Sequence, residues 1–119
     1  MIAHIVLFRP RPGLSAPERS AMLEAMQAAA RNAPSVRRCR IGRRHIHGLP
    51  GYEQSMREDY EYAAVLEFDD DRGLRAYLQH PAHERIGEQF TSGAAAALAY
   101  DYELVELEEA GRLLKGTEA

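Results

Sequence analysis

The run YLQHPAHERIG, residues 77 to 87, carries two imidazoles three positions apart and a phenol one turn upstream. Histidine ordinarily titrates near neutrality, so it can take up and release a proton at physiological pH. A tyrosine hydroxyl can donate a hydrogen bond to a carbonyl oxygen. Tyr77 and His83 together are equipment for enolising a carbonyl compound without a metal. His83 would remove the proton beside the carbonyl, and Tyr77 would hold the oxygen that becomes negative. Pro81 belongs in the first turn of a helix, where its missing N–H costs nothing. That makes His80 the N-cap and puts His83 inside the first turn. The positive helix end and partial burial both disfavour a charged ring, so His83 is expected to be neutral near pH 7. If Asp101 on a neighbouring strand accepts the other ring proton, it fixes the tautomer but raises the pKa, opposing those two effects. The alternative is structural: His80 only caps its helix, and His83 only satisfies a backbone carbonyl.

Other chemistry-bearing residues give weaker patterns. His45 and His47 alternate along an expected strand and could share a side with each other, as could His80 and His83 on a helix. A typical catalytic zinc needs three protein ligands in preset geometry, and no such signature is present, so no metal site is assigned. Cys39 lies among arginines that could lower its pKa, but it has no clear partner base and reads as an ordinary strand cysteine. The arginines at 37, 38, 40, 43 and 44 suit an exposed edge strand guarded by charge. Alternation splits them over both sides, against a single focused basic patch.

The elements that must position these residues follow from the pattern of the chain. Residues 2–8 (IAHIVLF) are β-branched and aromatic, a strand stopped by RPRPG. Ser15, Pro17 and Glu18 make a capping box for a first helix that ends at Asn32-Ala-Pro34. Residues 36–47 read as a second strand, weakened by Gly42, and 60–68 as a third. A helix follows at DDDRGLRAYLQ, another runs from HPAH to about Ala97, and residues 99–107 form the last strand. The order β-α-β-β-α-β is the split βαβ pattern of a ferredoxin-like α+β sandwich with a four-stranded antiparallel sheet. One domain over 1–107 and a polar tail over 108–119 are expected.

Both sheet faces are apolar. In the first strand Ala3, Ile5 and Leu7 oppose Ile2, Val6 and Phe8. In the third, Ala63 and Val65 oppose Tyr62, Ala64, Leu66 and Phe68. One chain has helix enough to cover a single face. The remedy is a second sheet, so a homodimer packed face to face through its sheets is expected, with His4 and Asp101 facing an enclosed chamber shared by two protomers. Tyr100 and Tyr102 share one face of the last strand, and Asp101 takes the other.

Bulk properties bound the rest. A chain of 119 residues suffices for one compact domain. A formal net charge of -3 gives no electrostatic reason to expect nucleic acid or an anionic membrane. No window approaches the roughly 20 apolar residues of a membrane span, and the opening run is too short for a signal segment. A single cysteine excludes an internal disulfide and fits a reducing cytoplasm. Cytoplasmic localisation is the expectation.

IAHIVLF, YLQHPAH and the closing YDYE resemble the stress-responsive A/B barrel domain (Dabb) family over roughly residues 2 to 107. The resemblance implies a ferredoxin-like protomer that dimerises into an α/β barrel, and much less about activity. A plant member of that family is a cofactor-free polyketide cyclase that performs an intramolecular aldol condensation. Its reactive histidine and tyrosine match His83 and Tyr77, its first-strand histidine matches His4, and its last-strand aspartate matches Asp101. Two positions depart from it: a third histidine of the cyclase falls on Tyr62 and a first-helix tyrosine falls on Met26. The pocket would keep an acid/base pair and change its lining, so the cyclase's substrate is not transferred.

The expectation for function is a cofactor-independent cyclase, isomerase or lyase on a small apolar carbonyl compound. His83 and Tyr77 would be catalytic, with His4, Tyr62, Asp101 and His80 lining or orienting the substrate. The alternatives are a dimer that holds a small apolar ligand without transforming it, a structural stress-associated dimer, and, by analogy of fold alone, a cofactor-free monooxygenase.

Overall fold

The computed structural model describes residues 1–115. Its elements are β1 (Ile2–Pro10), α1 (Ala16–Asn32), β2 (Arg38–Arg43), β3 (Tyr62–Phe68), α2 (Asp71–Leu78), α3 (Pro81–Gly93) and β4 (Ala94–Glu103). A 3₁₀ turn at Glu53–Ser55 and a longer 3₁₀ segment at Leu107–Leu114 complete the chain. The sheet is antiparallel with strand order β2-β3-β1-β4, the split βαβ arrangement. β2 and β4 are its edges.

α1 begins as its sequence dictates. The Glu18 N–H donates to Ser15 Oγ, and the Ser15 N–H donates back to Glu18 Oε1, both at 3.2 Å. The two bonds satisfy backbone donors that a helix start leaves orphaned. Alanines at 29 and 33 let the end of α1 lie close on the sheet, where both are buried. Gly93, at the end of α3, packs closely on α1: a Cβ there would sit 2.9 Å from Met22 Sδ, so the methionine side chain would have to move.

The core lies between the helices and one sheet face. Ala64, Leu66 and Phe68 from β3 meet Ala29 and Ala33, Leu74 and Tyr77 from α2, and Ile86 from α3. Ile2 and Val6 of β1 and Cys39 of β2 join from the same face. Ala3, Ile5, Leu7, Val65 and Leu98 point the other way and belong to no part of that cluster. The second apolar face inferred from alternation is therefore real.

β1 runs two residues past the expected 2–8 and β3 begins two residues after 60, and the larger differences lie elsewhere. GAAAALA was expected within a helix reaching Ala97, yet α3 stops at Gly93 and the alanines form β4. Alanine's helical preference amounts to tenths of a kcal/mol per residue. Pairing with β1 from Pro10↔Ala94 to Ile2↔Glu103 outweighs it and gives central β1 its second neighbour. The last strand accordingly ends at Glu103, before the expected 107. β2 is shorter than 36–47, because after Arg43 the chain turns away through Gly48 and Gly51, both at positive φ. His45 and His47 thus lie in a loop and do not alternate along a strand.

The fully buried Phe68 side chain fills the centre of the core. Phe68→Ala is expected to lower the free energy of unfolding by about 3–5 kcal/mol in denaturant titration, through lost burial and the cavity left behind.

Candidate active site

α2 and α3 meet at His80-Pro81. His80 is the N-cap of α3, and its Nδ1 accepts the Ala82 N–H at 3.1 Å. Its main-chain carbonyl accepts the His83 N–H at 2.9 Å. His80 was a candidate for contacting substrate; the structure gives its imidazole this capping bond.

The chain reversal brings Tyr77, in the last turn of α2, against His83, in the first turn of α3. Their ring centroids are 5.0 Å apart, edge to face. His4 of β1 lies beneath both, 6.0 Å from Tyr77 and 6.4 Å from His83. Phe68 backs Tyr77 at 5.5 Å. Four of the six sequence candidates (Tyr77, His83, His4 and Asp101) thus converge. Tyr62 stands apart, opposite Phe8 towards the other end of the sheet.

Asp101 sits directly across from His4 in the β1–β4 ladder. The His4 Nδ1–H donates to Asp101 Oδ1 at 2.6 Å, a short bond of the charge-assisted kind. This departs from the sequence reading, in which Asp101 could serve His83. Cross-strand register commits the carboxylate to His4, so it does not offset the effects that keep His83 neutral. The bond leaves His4 Nε2 as the ring atom free to face the helices. The location also differs from expectation: His4 and Asp101 lie on the helix side of the sheet, not on the side that would meet a second sheet.

His83 titrates below the ordinary histidine value, chiefly because burial penalises its charged form and secondly because His4 stands nearby. The positive end of α3 acts in the same direction. Burial, followed by the neighbouring Cys39 thiol, pushes the Tyr77 hydroxyl up to about 12. At neutral pH the site therefore presents a neutral imidazole and a firmly protonated phenol. Burial also raises the Cys39 thiol, which argues against a reactive thiolate.

Neither the Tyr77 hydroxyl nor the His83 ring has a hydrogen-bond partner among the described residues. No described side-chain nitrogen or oxygen is both fully buried and unsatisfied. The 3 % of Tyr77 that remains exposed must then include its oxygen.

An apolar cleft of about 450 Å³ lies farther along the sheet, between α1, α3 and its helix-facing side. Val6, Phe8, Met22, Met26, Tyr62 and Phe90 form much of its wall. The two imidazoles and Tyr77 are not themselves in that wall. Val6 follows His4 by two residues on the same face of β1, about 7 Å along the strand. Phe90 lies two turns beyond His83 on α3. Phe8 and Phe90, in contact at 4.9 Å, were not singled out from sequence, although the spacing His83–Ile86–Phe90 marks one face of a helix.

The remaining candidates lie outside the cluster. His47 Nδ1 accepts the Leu49 N–H at 3.1 Å, and its Nε2 is 3.2 Å from Glu53 Oε2. Among the described residues, no group of three or more His, Cys, Asp or Glu side chains is placed to hold a metal ion. Among the described residues, no helix is long and apolar enough to cross a membrane.

Residues 2–104 match the family described as the Stress Responsive A/B Barrel Domain. No functionally curated protein matches the chain. Among solved structures, an Arabidopsis thaliana protein is similar with a TM-score of 0.73 at 16% identity, covering 90% of this chain and 98% of that one. A hydroxynitrile lyase from Passiflora edulis is similar with a TM-score of 0.71 at 17% identity, covering 88% and 94%. A dimeric ferredoxin-like protein of unknown function from Jannaschia sp. CCS1 has a TM-score of 0.68 at 25% identity, covering 87% and 98%.

The electrostatics of His83 contribute to the pH dependence of folding. The unfolded chain protonates this imidazole near pH 6.5, whereas the folded chain resists it to lower pH. The unfolded state therefore binds more protons in that window. The His83 contribution is complete above about pH 6.5 and is lost as pH falls through the folded value. Denaturation of wild type and His83→Gln at pH 8 and pH 5 should show wild type losing more stability than the variant on acidification. Equal losses would contradict the assignment.

Proposed function

The chain belongs to the Stress Responsive A/B Barrel Domain family, and on that premise we propose that it is a cofactor-independent enzyme for proton transfer beside a carbonyl group. Its activity would be that of a cyclase, isomerase or lyase on a small, largely apolar carbonyl compound. One observation carries the reading. Two polar groups without protein hydrogen-bond partners among the described residues, a neutral His83 and a protonated Tyr77, face each other at 5.0 Å above His4.

The steps follow from the geometry. The apolar body of the substrate occupies the cleft, and its carbonyl points towards His4 and the two helix ends. His83 removes a proton from the carbon beside the carbonyl. Tyr77 donates a hydrogen bond to the carbonyl oxygen as it becomes an enolate oxygen. His83 then either returns the proton to a different carbon of a conjugated enolate, or the enolate carbon forms a bond to a second carbonyl within the same molecule. In the second case that carbonyl oxygen takes up the proton. His4, its tautomer fixed by Asp101, orients the oxygen through Nε2. Tyr62 and Met26 shape the far wall, where this chain departs from the plant cyclase of the family.

A second reading is a dimer that holds an apolar ligand without transforming it. It draws on the cleft itself, whose wall excludes both imidazoles. For either reading the finer assembly proposed is a homodimer packed through the outer sheet faces, as the apolar residues there favour.

The two readings separate in heavy water. Protein is incubated with a panel of apolar methyl ketones and β-diketones, and deuterium entry beside the carbonyl is followed by NMR. His83→Ala should reduce exchange by about 10²-fold or more, and Tyr77→Phe by a comparable factor, with ligand binding by thermal shift largely kept. Binding without exchange above buffer in the wild type would favour the non-catalytic reading.

A further inference from the structure

After β4 the chain leaves the domain as an arm. Leu107–Leu114 is 3₁₀ in conformation, and none of it is buried. With three residues per turn, Leu107, Ala110 and Leu113 stand on one line. That line is apolar, yet Leu107 is 84% and Leu113 43% exposed. Residues 103–109 are acidic, with glutamates at 103, 106, 108 and 109 and no basic residue. The radius of gyration, 16.2 Å, exceeds the roughly 13–14 Å of a compact domain of this length, consistent with segments that stand off the body.

A groove of about 410 Å³ with the opposite character lies at the other sheet edge, between α1 and β2. Met26, Val36 and Ile41 give it an apolar floor, Arg31 and Arg37 rim it, and Arg38 lines it where β2 begins, in register with Glu67 at the outer edge. Among the described residues, no aspartate or glutamate lines it. Arg37 is already paired with Asp69 at 2.8 Å, while Arg31 and Arg38 have no ion-pair partner among the described residues.

We propose that the groove between α1 and β2 receives the Leu104–Leu113 arm of a second copy of this chain, leucines on its floor and glutamates against its arginines. The inference rests on the sheet-face dimer proposed above. Strand order supplies the reach. β4 and β2 are opposite edges, and β4 ends at the same end of the sheet at which β2 begins. Two sheets facing each other across a two-fold axis along the strands bring β4 of one beside β2 of the other, with like ends together. The arm then emerges next to Val36–Arg38 of its neighbour. An arrangement that set arm on arm would oppose glutamates to glutamates. The contact also bears on the site, because Met26 and Ile41 line both the groove and the apolar cleft. An arm seated in the groove walls the cleft from that side.

The test uses two single-cysteine chains in a Cys39→Ser background, one with Leu113→Cys and one with Arg31→Cys. They are refolded separately and together, then treated with a short bismaleimide reagent. The proposal expects a covalent heterodimer in the mixture and little product from either chain alone. Arg38→Glu on the groove chain should lower the yield severalfold, and Glu108→Arg on the arm chain should restore part of it. Sedimentation is measured in parallel. A dimer that links only Leu113→Cys to itself, or gives no product, overturns the arm while leaving the sheet-face dimer standing. A single subunit in sedimentation overturns both.

Discussion

The site depends on a break in a helix. If residues 71–93 formed one continuous α-helix, Tyr77 and His83 would lie about 9 Å apart along the axis and roughly a third of a turn apart around it. They would not meet. Pro81 cannot donate to the preceding turn, and the residue before a proline avoids the helical region, so the chain stops and restarts at His80. His80 stabilises the restart by capping it with its own ring. The reversal sets the two rings 5.0 Å apart over His4. The backbone effect of one proline thereby becomes the geometry of an acid/base pair.

The sheet supplies the second constraint. β1 is central, and register with β4 places Asp101 opposite His4. A buried imidazole needs a partner, and the carboxylate is partly exposed, so it keeps some solvation while holding the ring. The division of labour follows. His4 is oriented by a charged partner, whereas His83 has none and is left to burial.

Much of this was legible in the sequence. The capping box at Ser15, the proline after His80 and the two-sided apolar pattern of β1 and β3 each have a local physical cause, and each led to the observed element. The alanine run misled because its preference is local while its partner, β1, is some ninety residues away. The orientation of the polar pair was also missed. Parity put His4 with Ile2, Val6 and Phe8, but the sequence does not say which face the helices take. Asp101 could be placed on a strand but not given a partner, because register between distant strands is fixed by the assembled sheet. The walls of the cleft from Phe8 and Phe90 were hidden for the same reason.

The account stands on His83 being an uncharged ring at working pH beside a protonated Tyr77. Nitrogen-15 spectra of histidine-labelled protein at pH 7, assigned by comparison with His83→Gln, read that state directly. The predicted result is one protonated and one unprotonated ring nitrogen for His83. Two protonated nitrogens at that pH would show an imidazolium unable to accept a proton, and would contradict the mechanism.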